Sequence, residues 1–345
     1  MSIMTLQGDL LKQLDVDAIV NTVNCVGIMG KGIALQFKKK WPANFKAYVD
    51  ACKAGLVKPG HLFIYHAGAL ATPKYIINFP TKDHWRGSSR IEFIQDGLVD
   101  LVKQIQALGI TSIAIPPLGC GNGGLEWQKV KPLIEQAFTA IPEVTVYLFE
   151  PSGTPPAIDM TVNSPRPKMT PGRAAILKVL DTYRELNYGL SKIEVQKLAY
   201  FLQEAGQDLR LDFVKHHYGP YADVLRHALD RMDGHFIRGL GDGVVESEIA
   251  PVQDALLEAQ LYIEQSQKQE LLQHIAKVAE LIEGFQSPYG MELLATVHWV
   301  ATREQANNPA KAIPAIQAWN ERKRHLMKPA HIEVAWQQLA TYGWV

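Results

Sequence analysis

Val20-Asn21-Thr22-Val23-Asn24-Cys25-Val26-Gly27-Ile28-Met29-Gly30-Lys31-Gly32-Ile33-Ala34 is the stretch that decides the first half of the chain. A buried-strand pattern over Ala18-Ile19-Val20 runs into asparagines, a glycine-rich loop follows, and helical spacing begins at Ile33. Glycines let backbone N–H groups close on an anion, and a helix start adds a favourable dipole. The loop is not a GxGxxG dinucleotide turn. Nor is it a P-loop, since Gly32 follows Lys31 where Ser or Thr would stand. A tight turn that needs glycine and an anion cradle both account for it; three glycines and a lysine before a helix favour the cradle.

The same grammar recurs downstream. Short apolar runs at 62–65, 75–77, 112–115 and 144–148 read as strands, and 33–40, 91–108 and 127–139 read as helices. Strands alternating with helices predict a layered α/β domain, whose ligands bind in loops past the strands' carboxyl ends. Two such loops carry chemistry. Pro116-Pro117-Leu118-Gly119-Cys120-Gly121-Asn122-Gly123-Gly124-Leu125-Glu126-Trp127 is a second glycine loop before a helix, and the two together suggest a clamp on a diphosphate. Asn78-Phe79-Pro80-Thr81-Lys82-Asp83-His84-Trp85-Arg86 offers acid, base and cation within a few residues, though solvated loops also collect charge. Gly8-Asp9-Leu10 alone reads as a turn with an Asp helix cap.

Prolines and glycines crowd residues 151–172, which predicts an interdomain linker. Beyond it no convincing strand is visible. Ser191-Lys192-Ile193-Glu194 is a capping box opening a helix, and further helices fit 222–232, 251–265, 269–285, 291–302, 310–322 and 331–342. The chain of 345 residues has 35 Lys plus Arg against 35 Asp plus Glu, which argues against a protein that coats DNA by charge alone. Residues 1–155 carry 15 against 12, and the rest 20 against 23, so phosphate partners favour the first half. The cysteines Cys25, Cys52 and Cys120 are too scattered for a disulfide framework or a zinc site, and no metal is expected. No apolar run is long enough to span a membrane and no export signal opens the chain, so a cytoplasmic protein without a membrane partner is expected.

Gly8-Asp9-Leu10, the 24–34 loop and the 118–127 loop together resemble a macrodomain, the ADP-ribose-binding module, over about residues 1–150. The likeness is to the branch of ADP-ribosyl glycohydrolases, and Asn78-Phe79-Pro80-Thr81-Lys82-Asp83-His84-Trp85 narrows it to the bacterial antitoxins that act as DNA ADP-ribosyl glycohydrolases. The resemblance implies a three-layer α/β/α macrodomain with a mixed sheet over 1–153, a linker over 154–170 and an all-α toxin-binding domain over 171–345. Lys197-Leu198-Ala199-Tyr200-Phe201 and Tyr218-Gly219-Pro220-Tyr221 are similar to helical antitoxin domains of other bacterial systems.

The site implied by the resemblance follows residue by residue. Asp9 would accept the adenine amino group with Leu10 beside the ring, and Asn24 would contact the distal ribose. Gly30, Lys31, Gly32 and Ile33 would line one side of the diphosphate. Gly119, Cys120, Gly121, Asn122, Gly123, Gly124 and Leu125 would line the other, with Thr81 beside them. Lys82 matches the catalytic lysine. The human-type glycohydrolase has an aspartate where Gly123 stands, so no lysine–aspartate pair comes from these positions. The implied substrate is ADP-ribosylated thymidine in single-stranded DNA, and the implied partner is the cognate DNA ADP-ribosyltransferase toxin, with no cofactor. Lys82 either attacks the anomeric carbon as a free amine or hydrogen-bonds the departing thymine as an ammonium. Trp85, Arg86 and Arg90 are the candidate DNA contacts; Phe79 and Tyr48 read as core. A non-catalytic ADP-ribose reader, or an antitoxin acting by protein contact alone, are the alternative functions.

Overall fold

The computed structural model describes residues 2–12, 15–68, 70–153, 159–184, 189–241, 248–266 and 269–345. Residues 154–158, part of the expected linker, lie outside the described residues. The chain divides into two compact units, the first running to Ser164 and the second from Pro165 onward.

The first unit is built on strands β1 (Ser2–Leu6), β2 (Ala18–Val23), β3 (Phe63–His66), β4 (Tyr75–Pro80), β5 (Ser112–Ile115) and β6 (Thr145–Phe149). Its helices are α1 (Gly32–Lys40), α2 (Pro42–Lys53), α3 (Ile91–Leu108) and α4 (Trp127–Phe138). The six-stranded sheet has the order β1-β6-β5-β2-β4-β3. All neighbours are parallel except β3, which runs antiparallel to β4, so the sheet is mixed. Period-two alternation sends Ala18 and Val20 of β2 to one core with Ile94, Leu101, Val130 and Ile134 of α3 and α4. Ile19 and Ile76 point to the other core, which holds Phe37 of α1. Helices thus cover both faces of the sheet, the layered architecture expected. Because β2 lies between β4 and β5, the loops leaving these three strands emerge side by side at one edge.

The stretch read as a linker is partly docked. Asn163 N donates to Lys39 O and its Nδ2 to Lys40 O, both at 2.9 Å, and Met160 is buried. These contacts give the last carbonyls of α1 partners that a helix end otherwise lacks.

The second unit is mainly helical: α5 (Pro171–Tyr183), α6 (Lys192–Glu204), α7 (Asp223–Met232), α8 (Gln253–Gln265), α9 (Gln269–Ile282), α10 (Pro288–Arg303), α11 (Pro309–Trp319), α12 (Glu321–Leu326) and α13 (Pro329–Thr341). The Ser191–Glu194 capping box forms with both reciprocal hydrogen bonds. Three expectations need correction. Pro171 and Gly172 do not break the chain but open α5, because proline at the first helical position sacrifices no bond and Thr170 caps the turn. The helix expected over 310–322 is two, since Asn320 takes an extended backbone and caps α12 by accepting from Lys323 N. The half is also not free of strands. β7 (Val214–His216) pairs with β8 (Gly219–Tyr221), and β9 (Ile237–Arg238) with β10 (Ala250–Pro251). These ribbons are too short to show a period-two pattern in sequence. Among the described residues no helix is long and apolar enough to cross a membrane.

Candidate active site

The three motif segments meet at the sheet edge. Thr81 N donates to Val23 O and Cys25 N to Asp83 O, both at 3.0 Å, so the loops after β2 and β4 run together. The loop after β5 closes on them from the other side. Lys82 Nζ donates to Asn122 O at 2.5 Å. Gly32, with φ +56°, sits where a Cβ would come within 2.9 Å of Asn122 Nδ2, so the first glycine loop and the second also touch. Lys82 is thus held at the junction of both glycine loops. It is half-buried, and burial lowers its pKa from the ordinary lysine value.

Local hydrogen bonds fix each loop. Asn24 Oδ1 accepts from Val26 N at 3.0 Å and Ile28 N at 3.3 Å, while its Nδ2 donates to Ile28 O. Tyr48, fully buried on α2, donates its hydroxyl to Asn24 O at 2.6 Å. In the second loop Leu125 N donates to Gly119 O and Gly124 N to Gly121 O. Cys120 is half-buried, whereas Gly121, Asn122 and Gly124 are exposed. Gly30 and Lys31 are exposed at the entry to α1, and Ile33 is half-buried there. Thr81 is buried. Asp9 and Leu10 follow β1. Asp9 Oδ1 accepts from Leu11 N at 2.9 Å, and Leu10 is buried in the core beside Phe37.

The thiols are poor nucleophiles. Burial pushes Cys25 up to about 12, helped by the Asp83 charge, and Cys120 up to about 11. Phe79 lies in the core, as expected. Trp85 is exposed, with the Arg86 guanidinium 4.6 Å from its ring centroid and the His84 ring 5.4 Å away. Arg90 is exposed at the start of α3, its guanidinium 5.3 Å from the Phe93 ring and 3.8 Å from the Glu92 carboxylate. No group of three metal-ligating side chains occurs among the described residues.

Two features were not visible in sequence. Beneath the loops Asn21, Asn44 and Asn78 are fully buried together. Asn21 Nδ2 donates to Asn78 Oδ1 at 3.0 Å, and Asn78 Nδ2 to Asn44 Oδ1 at 2.8 Å. The second is Ser89, buried against the second glycine loop, its N–H donating to Gly123 O at 2.9 Å. Polar residues on separate elements carry no local signal that they will be buried together. The asparagine amides pair among themselves, as buried polar groups require, while Asn21 Oδ1 and the Ser89 hydroxyl are buried without a hydrogen-bond partner among the described residues.

Residues 20–134 match the Macro domain family. A protein of Thermus aquaticus named DNA ADP-ribosyl glycohydrolase is 48% identical over 337 residues, covering 98% of this chain and 92% of that one. A Mycobacterium tuberculosis protein of the same name is 44% identical over 344 residues, covering 95% and 96%. A Thermosipho africanus DNA ADP-ribosyl transferase–DNA ADP-ribosyl glycohydrolase fusion protein is 35% identical over 145 residues, covering 38% of this chain and 37% of the fusion.

Proposed function

This chain belongs to the DNA ADP-ribosyl glycohydrolases, hydrolases of N-glycosidic bonds, and from that premise we propose that it frees thymidine in single-stranded DNA from ADP-ribose. The observation that carries the reading is the position of Lys82, which bridges to Asn122 O where two glycine loops meet. The diphosphate rests on the backbone of residues 30–33 and 119–124, with Asn24 toward the distal ribose and Asp9 toward the adenine. Trp85, backed by Arg86, stacks on a base beside the modified one.

Lys82 acts as the nucleophile. Burial enlarges its share of free amine, which attacks the anomeric carbon as the bond to the thymine ring nitrogen breaks. The electron pair of that bond leaves with thymine, an imide anion delocalised over two carbonyls, which then takes up a proton. Water releases the sugar from the lysine and restores the amine. A good leaving group makes an aspartate at position 123 unnecessary.

The helical unit binds and inhibits the ADP-ribosyltransferase that writes the mark. A relative that joins a DNA ADP-ribosyl transferase to a DNA ADP-ribosyl glycohydrolase in one chain supports this pairing. The test uses the full chain and an ADP-ribosylated single-stranded oligonucleotide. Wild type releases free ADP-ribose, and Lys82→Ala releases none yet still retains the transferase in a pull-down. Tight ADP-ribose binding without release by wild type would make the protein a reader instead.

A further inference from the structure

We propose that Ser89 is a positioning residue for Lys82, acting through the second glycine loop. Ser89 is buried at the entry to α3, and its hydroxyl has no hydrogen-bond partner among the described residues. A buried hydroxyl without a partner carries a desolvation cost that a methyl group would not. What the hydroxyl supplies is shape. A Cβ on Gly119, whose φ is +71°, would lie 3.0 Å from Ser89 Cβ and 3.2 Å from Ser89 Oγ. A Cβ on Gly123 would collide with the same oxygen. The loop drapes over Ser89 at both ends, and glycine at both ends allows it.

This wedge reaches the reacting group through the backbone. Ser89 N donates to Gly123 O at 2.9 Å, and Lys82 Nζ donates to the preceding carbonyl, Asn122 O, at 2.5 Å. The carbonyl that Ser89 holds is thus the next along the chain from the one that Lys82 uses. Asn122 has a second constraint, because its Nδ2 packs against Gly32 of the first loop. The frame behind these contacts is firm. Gly97 of α3 has no room for a Cβ beside the Phe79 ring of β4, so helix and strand touch directly. Ser89 stands just before that helix and Lys82 just after that strand.

Attack on the anomeric carbon needs the amine aligned as well as near, and a small displacement lowers the rate steeply. A lysine side chain has many rotamers, so a fixed acceptor is needed to select one arrangement. Ser89 fixes that acceptor. In a Ser89→Ala variant the Leu125 N to Gly119 O and Gly124 N to Gly121 O bonds still hold the course of the loop. The diphosphate cradle therefore persists, while the 122–123 peptide settles into the vacated space and takes Lys82 with it. The inference rests on reading Lys82 as the attacking group.

The experiment uses the full chain as wild type, Ser89→Ala and Ser89→Cys. It measures kcat and KM on an ADP-ribosylated single-stranded oligonucleotide, affinity for free ADP-ribose and the thermal midpoint. It also follows the NMR signal of the Lys82 ammonium protons at mildly acid pH, identified by its loss in Lys82→Arg. Ser89→Ala is expected to lower kcat about tenfold or more. Its ADP-ribose affinity should stay within about twofold of wild type, with a thermal midpoint no lower, since no hydrogen bond of the hydroxyl is lost. The slowly exchanging Lys82 signal should disappear. Ser89→Cys, which refills the γ position, is expected to recover most of the lost kcat. Wild-type kcat in Ser89→Ala would overturn the proposal. So would a fall in kcat matched by equal losses of affinity and thermal midpoint, which would make Ser89 a general packing residue. If Ser89→Ala loses the Lys82 signal but wild type releases no ADP-ribose, the positioning stands and the reading of Lys82 as nucleophile fails.

Discussion

The Ser89 hydroxyl occupies the space that a side chain at position 123 would need. A Cβ built on Gly123 would lie 2.2 Å from Ser89 Oγ and 2.2 Å from the Gly119 carbonyl oxygen, distances that real Cβ atoms do not show. The Ser89 N–H donates to Gly123 O on the same loop, so the two residues lock together. The glycine at 123 is therefore a packing requirement of this loop, beyond its lack of an acid.

Restoring the acid should fail for this reason. Gly123→Asp is expected to displace the loop, cost about 1–3 kcal/mol of first-unit stability and weaken ADP-ribose binding rather than raise turnover. Calorimetric titration and a thermal melt check both effects. A well-folded, faster Gly123→Asp enzyme would show that the loop has room that the Ser89 packing denies.

Gly121 offers the contrasting case. A Cβ there meets nothing within 4 Å, and its backbone needs no left-handed conformation. Gly121→Glu should therefore leave the thermal midpoint unchanged while setting a carboxylate where the diphosphate belongs. ADP-ribose affinity is expected to fall about tenfold or more, from like-charge repulsion. Near-normal affinity in titration calorimetry would remove this loop from the ligand site.

Lys82 separates the two chemical roles by pH. Burial depresses its pKa, so the free-amine fraction grows as pH rises through that lowered value. A nucleophilic lysine makes kcat climb with pH to a plateau; an ammonium that supports the leaving group makes it fall. We expect the climb, and we expect Lys82→Arg to be as inactive as Lys82→Ala, about a thousandfold down, because arginine stays protonated. Substantial activity in the arginine variant would point to the electrostatic role.

The second unit should be sensitive to acid through His298. This ring is buried, its Nδ1 2.7 Å from the Tyr200 hydroxyl, and burial with the nearby Arg303 charge pushes its pKa from 6.5 down to about 4. The folded-state pKa is the lower one. The stabilisation is therefore complete above about pH 6.5 and lost as pH falls toward 4, a change on the order of 3 kcal/mol. Thermal melts across that window should show the second unit losing stability, and His298→Gln should flatten the slope even though it lowers the starting value.

Much of this architecture was legible because local rules and packing agree in it. The strands at 75 and 112 and the helix from 91 to 108 begin where the apolar pattern says they should. α2 was missed because its buried positions include Asn44 alongside Tyr48 and Ala51, and a polar residue interrupts the apolar period. β1 was missed because an edge strand with only intermediate or exposed residues has no buried run to announce it. In the site, the glycine loops were readable from composition and order, and Lys82 was singled out by the family resemblance. Ser89 and the asparagine trio were not, since what makes them important is a partner distant in sequence. The same holds for Arg322, Lys323 and Glu292, which look like surface charges until α10 and α12 bring them together.

The hold that Asn163 and Met160 keep on the end of α1 bears on how the two halves can be handed out as separate proteins. A gene fragment stopping at Gly153 would omit residues that cover Lys39 and Lys40, stripping the Lys39 and Lys40 carbonyls of the amides that Asn163 supplies. On the other side, Arg166 pairs with Glu258 at 2.5 Å and lies 4.9 Å from the Phe236 ring, so it travels with the helical half. The cut that respects both sets of attachments falls at the Ser164–Pro165 bond, well past the point where the proline content begins.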